Sequence, residues 1–355
     1  MGQDVSTSQR TQNQTTQLSA QQIVCGFEDA LNAARLFEGA TAPNPAVGCA
    51  LFDKAGHRLA LAAHQRAGGL HAEASALQLC KEQGTLKDIH TAIVTLEPCN
   101  HTGRTPACCD ALLATSVQEI WIGSLDPNRH VQGGGAARLK NSGRDVFFLN
   151  SLQGLDTNDL CRRLDRLIAP FVKHSGTGLP WVTVKQALTV DGSMIPPQGD
   201  KTFTSEVSLD LAHSLRRRAD AIVTGSGTVL ADNPLFTVRR VSDFVHKKRS
   251  LAILDRRARV TAAYVAAAEE RGFDVVIETS IDTLLRALGD AGALEVLVEA
   301  GPLVTQSILD TEFWDEHIVI QQSNQSQVLD TTTVYQRDGS SSLVGGKEKY
   351  VLRDH

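Results

Sequence analysis

The stretch LEPCNHTGRTPACCDAL, Leu96 to Leu112, decides the reading of this chain when taken with the triplet His71-Ala72-Glu73 upstream of it. Together they offer one imidazole, two thiols and one carboxylate. Three nitrogen and sulfur ligands with a fourth position left to water is the composition of a catalytic zinc site, whereas structural zinc sites close with four ligands. The apolar run Ile89 to Leu96 predicts a strand with Cys99 just past its carboxyl end, and Cys108 to Leu113 predicts a helix. A helix amino terminus favours thiolate. Another helix is predicted from His71 to Glu82, with Ala72, Ser75, Ala76 and Leu79 on one side and Glu73 in its first turn. Zinc lowers the pKa of a bound water to about 7. Glu73 is then placed to take that proton and pass it to a departing amine.

Each residue alone has a plainer reading: His71 as a helix cap, Glu73 as a solvated acid, the cysteines as small buried hydrophobes. A closed structural site would need a fourth ligand, for which Cys109 or His101 could be proposed, although Cys109 adjoins Cys108 and would point away. The order H-x-E, P-C, C is that of zinc-dependent base deaminases, where the glutamate is an acid/base and not a ligand. Eight residues, Asn100 to Ala107, separate Cys99 from Cys108 here, against two in the short form of that signature.

The rest of the chain frames this site. A length of 355 residues implies about two domains. A net charge of −5 gives no basic field for a polynucleotide, so the expected partner is a small molecule and not nucleic acid. No run is long enough for a membrane span, no signal peptide pattern opens the chain, and all seven cysteines lie at or before Cys161, which points to a reducing, cytoplasmic setting. Residues 1–20 are Gln/Thr/Ser-rich and read as a disordered tail. Residues 21–150 alternate helix and strand and read as an α/β layer sandwich carrying the zinc site. Residues 151–179 hold an amphipathic helix, Asp159 to Phe171, and then a Gly-containing break, Lys173 to Leu179, taken as the domain boundary. Residues 180–355 alternate again, with Gly225-Ser226-Gly227 and Ala300-Gly301-Pro302 each following an apolar strand. Close backbone approach at a helix amino terminus suits a dinucleotide pyrophosphate, although GSGTVL is no GxGxxG and a tight turn accounts for it as well. The final thirty residues are polar and show little periodicity.

With these residues in hand, PCNHTGRTPAC (Pro98 to Cys108) resembles the P-C-x-H-x-G-R-T-P-P-C signature of the bifunctional riboflavin-biosynthesis deaminase/reductase family. Asn44-Pro45-x-Val47-Gly48, His71-Ala72-Glu73 and Asp126-Pro127-Asn128 extend the resemblance. It implies a cytidine-deaminase-like α/β/α sandwich followed by a dihydrofolate-reductase-like α/β domain. It implies Zn2+ on His71, Cys99 and Cys108, with Glu73 as the proton shuttle. Arg104 and Thr105 in the insert would help enclose a pyrimidine ribosyl phosphate, with Asn44, Asp126 and Asn128 as substrate contacts. Arg129 stands where the family has Pro, and Gly134 where it has a basic residue.

The second half resembles the reductase of the same family at PWVTVK (Pro180 to Lys185), LTVDG (Leu188 to Gly192), TVLADNP (Thr228 to Pro234) and VEAGP (Val298 to Pro302). By that resemblance NADPH is the second cofactor, held at Ala187, Thr228, Asp232, Gly301 and Pro302. Lys185 is a reductase candidate, and Arg216, Arg239 and Glu299 are substrate contacts, an arginine being able to grip phosphate at two points. Without the resemblance, Arg216-Arg217-Arg218 reads equally well as a solvated helix face. Two stretches depart from the family: Asp200 to Ser205 lacks its Trp, and QQSNQSQVLDTTTV replaces the strand and turn expected after Ile320. The expected activity is deamination of a diamino-ribosylamino-pyrimidinone phosphate followed by reduction of its ribosyl group, in a homo-oligomer. A deaminase whose second domain only binds or dimerises is the alternative.

Overall fold

The computed structural model describes residues 18–100, 107–127, 134–199, 202–323, 329–337 and 341–344. Among them the first sheet has five strands in the order β2-β1-β3-β4-β5: β1 (Gly48–Asp53), β2 (Arg58–Ala63), β3 (Ile89–Leu96), β4 (Glu119–Ser124) and β5 (Asp145–Phe148). β1 runs antiparallel to β2 and β3, while β3, β4 and β5 are parallel. Strand alternation sorts side chains into two cores. Cys49 and Leu51 of β1 with Ile120 and Ile122 of β4 face the helices α2 (Ala72–Gln83), α3 (Cys108–Leu113) and α4 (Gly134–Asn141). Ala50, Phe52 and Trp121 face α1 (Ala20–Arg35) and α5 (Asn158–Thr177). The result is the expected α/β/α sandwich.

The second sheet has eight described strands in the order β13-β12-β11-β6-β10-β7-β8-β9. These are β6 (Trp181–Leu188), β7 (Ala221–Gly225), β8 (Arg249–Leu254), β9 (Phe273–Glu278), β10 (Glu295–Val298), β11 (Glu316–Gln321), β12 (Thr331–Gln336) and β13 (Ser341–Val344). All pairs from β11 to β9 are parallel, and β12 and β13 add antiparallel strands at one edge. Parallel strands buried on both faces explain the unbroken apolar runs of β7 and β10. α6 (Glu206–Arg218) lies over Leu297, Ile318 and Ile320, and α9 (Ile281–Asp290) and α10 (Pro302–Leu309) cover the opposite face. α7 (Ser226–Asp232) and α8 (Ala262–Glu270) complete the layers.

Three expectations need correction. The chain is already folded at Leu18, which is buried, and α1 starts at Ala20 because Ser19 and Gln22 form a reciprocal capping box; residues 1–17 lie outside the described residues. The break placed at Lys173 to Leu179 is helical through Thr177, and only Gly178, at φ 72°, turns the chain. Tertiary contacts outweigh the low helix propensity of Gly176: Lys173 Nζ donates to the Phe313 carbonyl at 3.2 Å and pairs with Asp315, and His174 Nε2 lies 2.9 Å from the Gly289 carbonyl. In the unreadable C-terminal stretch, β12 forms because Val334 is buried against Ile318, a single apolar anchor with polar threonines around it. α8 was also unread, its alanine run lacking contrast between faces.

Candidate active site

β3 and the loop after it carry Cys99 to one end of the first sheet, and α2 opens there on His71. His71 takes the N-cap position of α2 without using its side chain as a cap, which leaves the ring free for the thiols. Its Nδ1 lies 3.7 Å from Cys99 Sγ and 3.3 Å from Cys108 Sγ, and the ligand atoms of all three residues fall within 4.8 Å of one another. The Cys108 backbone N–H donates to Cys99 Sγ at 3.3 Å. The Cys99 thiol is drawn down to about 4, first by the hydrogen bond from Cys108 and then by His71 against the cost of burial, while Cys108 is pushed up by its bond to Cys99 and by burial. One imidazole and two sulfurs converging at this spacing fit zinc in three of its four positions.

Cys109 is excluded as a fourth ligand by direction. Its thiol donates to the carbonyls of Pro98 at 3.4 Å and Gly135 at 3.6 Å, and burial first, then the charges of Cys99 and Glu73, push it up to about 12. Glu73 points inward, only 3% exposed, so the inner face of α2 is Ala72, Glu73, Ala76, Leu77 and Cys80, not the face through Ser75 and Leu79. Burial raises its pKa, with the charge of Cys99 adding to the effect and a hydrogen bond with Cys108 opposing it.

Two residues that the sequence reading passed over belong here. His64 is buried at the end of β2, its ring edge-on to His71 with centroids 5.3 Å apart. Its Nδ1 sits 2.8 Å from the Leu70 carbonyl, which can only accept, so the proton is on Nδ1. Nε2, buried and without a hydrogen-bond partner among the described residues, is then a lone-pair acceptor, and burial lowers the pKa, which favours the neutral ring. Its spacing seven residues before His71 was the available signal. Glu97 accepts from the backbone N–H groups of Asp126 at 3.2 Å and Ala136 at 2.9 Å, tying the ends of β3 and β4 to α4. It stands next to Pro98 and reads in sequence as one more loop acid. The insert is held at its base, where Arg138 donates to Asn100 Oδ1 at 2.8 Å and pairs with Asp110. Arg104, Thr105, His101, Asn128 and Arg129 lie outside the described residues.

A second cluster forms on the other sheet. The pairing of Val184 with Val298 sets Lys185, in the middle of β6, beside Glu299, just past the carboxyl end of β10, with Nζ 3.2 Å from Oε1. Arg216 on α6 reaches the same carboxylate at 2.6 and 3.3 Å, so the arginine run is not wholly a solvated face. Burial alone would raise Glu299, but Lys185 and then Arg216 outweigh it and hold it at about 2. His213 sits 3.5 Å from Arg216 and accepts from the Arg239 backbone N–H at 2.9 Å; burial and the two arginines push it down to about 4. The Arg239 guanidinium turns to Thr237 Oγ1 at 2.8 Å on the exposed rim. Thr228 Oγ1 accepts from Gly301 N–H at 2.9 Å, joining the starts of α7 and α10. A Cβ on Gly301 would come within 3.3 Å of that hydroxyl, while one on Gly227 would meet open space. Such a close-backbone crevice, with Pro302 opening α10, fits a dinucleotide phosphate. Asp232 ends α7 exposed, and Ala187 packs in the core under α6, so neither is drawn to the Thr228–Gly301 pair as the others are to theirs.

Residues 23–124 match the family model described as the cytidine and deoxycytidylate deaminase zinc-binding region, and residues 180–323 match the RibD C-terminal domain. The riboflavin biosynthesis protein RibD of Aquifex aeolicus (strain VF5) is 32% identical over 313 residues, covering 82% of this chain and 84% of the relative. That of Escherichia coli (strain K12) is 33% identical over 323 residues, with 82% and 84% covered. Among solved structures, Acinetobacter baumannii RibD superposes with a TM-score of 0.74 at 28% identity, covering 92% of this chain and 98% of that one. A diaminohydroxyphosphoribosylaminopyrimidine deaminase/5-amino-6-(5-phosphoribosylamino)uracil reductase from Thermotoga maritima gives 0.73 at 27%, with 88% and 90% covered.

Proposed function

The chain belongs to the RibD family, and from that membership we propose that it is a bifunctional riboflavin-pathway enzyme. The first domain removes an amino group from 2,5-diamino-6-ribosylamino-4(3H)-pyrimidinone 5′-phosphate with Zn2+, and the second uses NADPH to reduce the ribosyl group to ribityl. The observation that carries this reading is the convergence of His71, Cys99 and Cys108 beside buried Glu73, on a chain that also carries the Lys185–Glu299–Arg216 cluster.

Zinc bound there supplies a water acidified to about pKa 7. Glu73, whose pKa burial raises, takes one proton from the attacking water and gives it to the ring nitrogen as the C–O bond forms, then takes a second from the hydroxyl of the tetrahedral adduct and gives it to the amino group, which leaves as ammonia when the C–N bond breaks. His64 Nε2 accepts an N–H of the pyrimidine, which orients the ring against His71. By the family resemblance Asn44, Asp126, Asn128 and Arg104 are the proposed contacts of the ribosyl phosphate, Arg104 and Asn128 lying outside the described residues. In the second domain Glu299 keeps the Lys185 ammonium and the Arg216 guanidinium at fixed positions, one to face the sugar and the other to hold it. Thr228, Gly301 and Pro302 hold the NADPH phosphates, Ala187 and Asp232, which stand apart from that pair, are proposed for other parts of the cofactor, and Arg239 takes the substrate phosphate at the rim.

A second domain reduced to a dimerisation module is disfavoured, since residues 180–323 match the reductase model and its charged cluster is intact. Among the described residues no helix is long and apolar enough to cross a membrane. Seven free cysteines support a cytoplasmic setting. Self-association is proposed through the sheet edge at β9, where Ile277 is exposed, and light scattering reads it directly. The test of function is a paired assay on zinc-loaded protein: ammonia release and NADPH oxidation are both expected, and loss of either removes the corresponding domain from the proposal.

A further inference from the structure

The loop between α1 and β1, which carries Asn44, belongs to the first domain but is held by side chains of the second. Lys247 is the main tie. Its ammonium donates to the Gly39 carbonyl and to the Arg218 carbonyl, and lies 2.9 Å from Asp220 Oδ1, with its side chain only 5% exposed. An ammonium has three N–H donors, so this one spends two of them on carbonyls from two domains and the third on a carboxylate. Arg217 repeats the pattern three residues up the loop, donating to the Leu36 carbonyl at 2.9 Å while stacking on Phe244 at 3.8 Å.

Stability of the second domain alone needs only the Arg218 and Asp220 contacts, because they cap the carboxyl end of α6 with a cation. The Gly39 contact is extra, and the backbone is shaped for it. Gly39 has φ +82°, and a Cβ there would stand 2.0 Å from the Arg218 carbonyl oxygen, so this close approach excludes any side chain. From Gly39 the constraint passes on through a closed turn, in which Thr41 Oγ1 donates to the Asn44 carbonyl and Asn44 N–H to the Thr41 carbonyl, both at 2.9 Å. The remaining gap between loop and second domain is a cavity of about 20 Å³ bounded by Glu38, Asn44, Asp220 and Glu295, room for about one water. Three residues past Asn44, the Val47 carbonyl accepts from His64 N–H at 2.9 Å. The same loop therefore carries the proposed substrate contact and abuts the strand end that presents His64 to His71.

We infer that Lys247 is a positioning residue for deamination, acting across the domain boundary by fixing the Leu36 to Asn44 loop. The inference rests on the deaminase reading above. Full-length, zinc-loaded Lys247→Met is compared with Gly39→Ala, which disturbs the same contact from the other domain, and with Leu285→Ala, a core change in the second domain at a residue that makes none of these contacts. Deaminase KM is expected to rise about tenfold in both loop variants, with zinc content unchanged and kcat falling less than KM rises. Leu285→Ala is expected to lower the melting temperature while leaving deaminase KM within about twofold. If Lys247→Met does not fold, Gly39→Ala carries the test alone. An active wild type with KM in the loop variants no different from Leu285→Ala overturns this inference and leaves the deaminase reading standing. A zinc-loaded wild type that releases no ammonia overturns both.

Discussion

Lys185 Nζ lies 3.2 Å from Glu299 Oε1 across the adjoining strands β6 and β10, with the glutamate side chain 5% exposed. The carboxylate is shared with Arg216, and the cations hold it at about 2 although burial opposes them. A depressed acid stabilises the fold above its ordinary pKa of 4.5 and loses that contribution as pH falls towards 2. The contribution is on the order of 3 kcal/mol at neutral pH. Melting temperature against pH is expected to drop through this window for the second domain. Glu299→Gln is expected to flatten that drop while lowering stability at pH 7, since it leaves two partly buried cations short of a counter-charge.

Neighbouring cysteines are expected to behave differently. Cys108→Ser should reduce bound zinc from about one per chain to near zero under mild chelation, because three ligands hold the metal. Cys109→Ser should keep the metal, its side chain being turned to the Pro98 and Gly135 carbonyls. Metal analysis of the two purified variants checks both statements.

Glu97 satisfies two backbone donors at the ends of β4 and α4. Glu97→Ala orphans them at a cost of about 1–3 kcal/mol, and it loosens Asp126. Chemical denaturation should show the loss, with deaminase activity falling alongside.

The course of α5 through its glycines is testable by two alanines. Gly176 is helical, and a Cβ there would meet nothing within 4 Å, so Gly176→Ala should stabilise the protein by about 0.5–1 kcal/mol. Gly178 sits at φ 72°, so Gly178→Ala should destabilise it by about 1 kcal/mol. A flexible break at Lys173 to Leu179 would make both substitutions nearly neutral.

The zinc cluster was legible because ligand chemistry limits which residue types can serve, and His71, Cys99 and Cys108 stand at element ends that periodicity locates. Glu73 was legible by its motif and its first-turn place, but its burial was not, because a buried acid breaks the apolar pattern by which a helix face is read. Lys185 and Glu299 lie 114 residues apart in the chain and meet only through strand register, which local pattern does not contain. The same holds for Lys247, whose partners Gly39, Arg218 and Asp220 are brought to it only by the fold. α5 outran its predicted end because its last turns are held by Asp315 and Gly289, partners from the other domain.

The central claim is that buried Glu73, beside a three-ligand zinc site, moves the protons of deamination. Ammonia release by Glu73→Gln, measured with zinc content and NADPH oxidation on the same preparation, tests it most directly. The account predicts full zinc, ammonia release lower by at least about 10²-fold, and unimpaired reduction when the deaminated substrate is supplied. Ammonia release at the wild-type rate from zinc-loaded Glu73→Gln would contradict it.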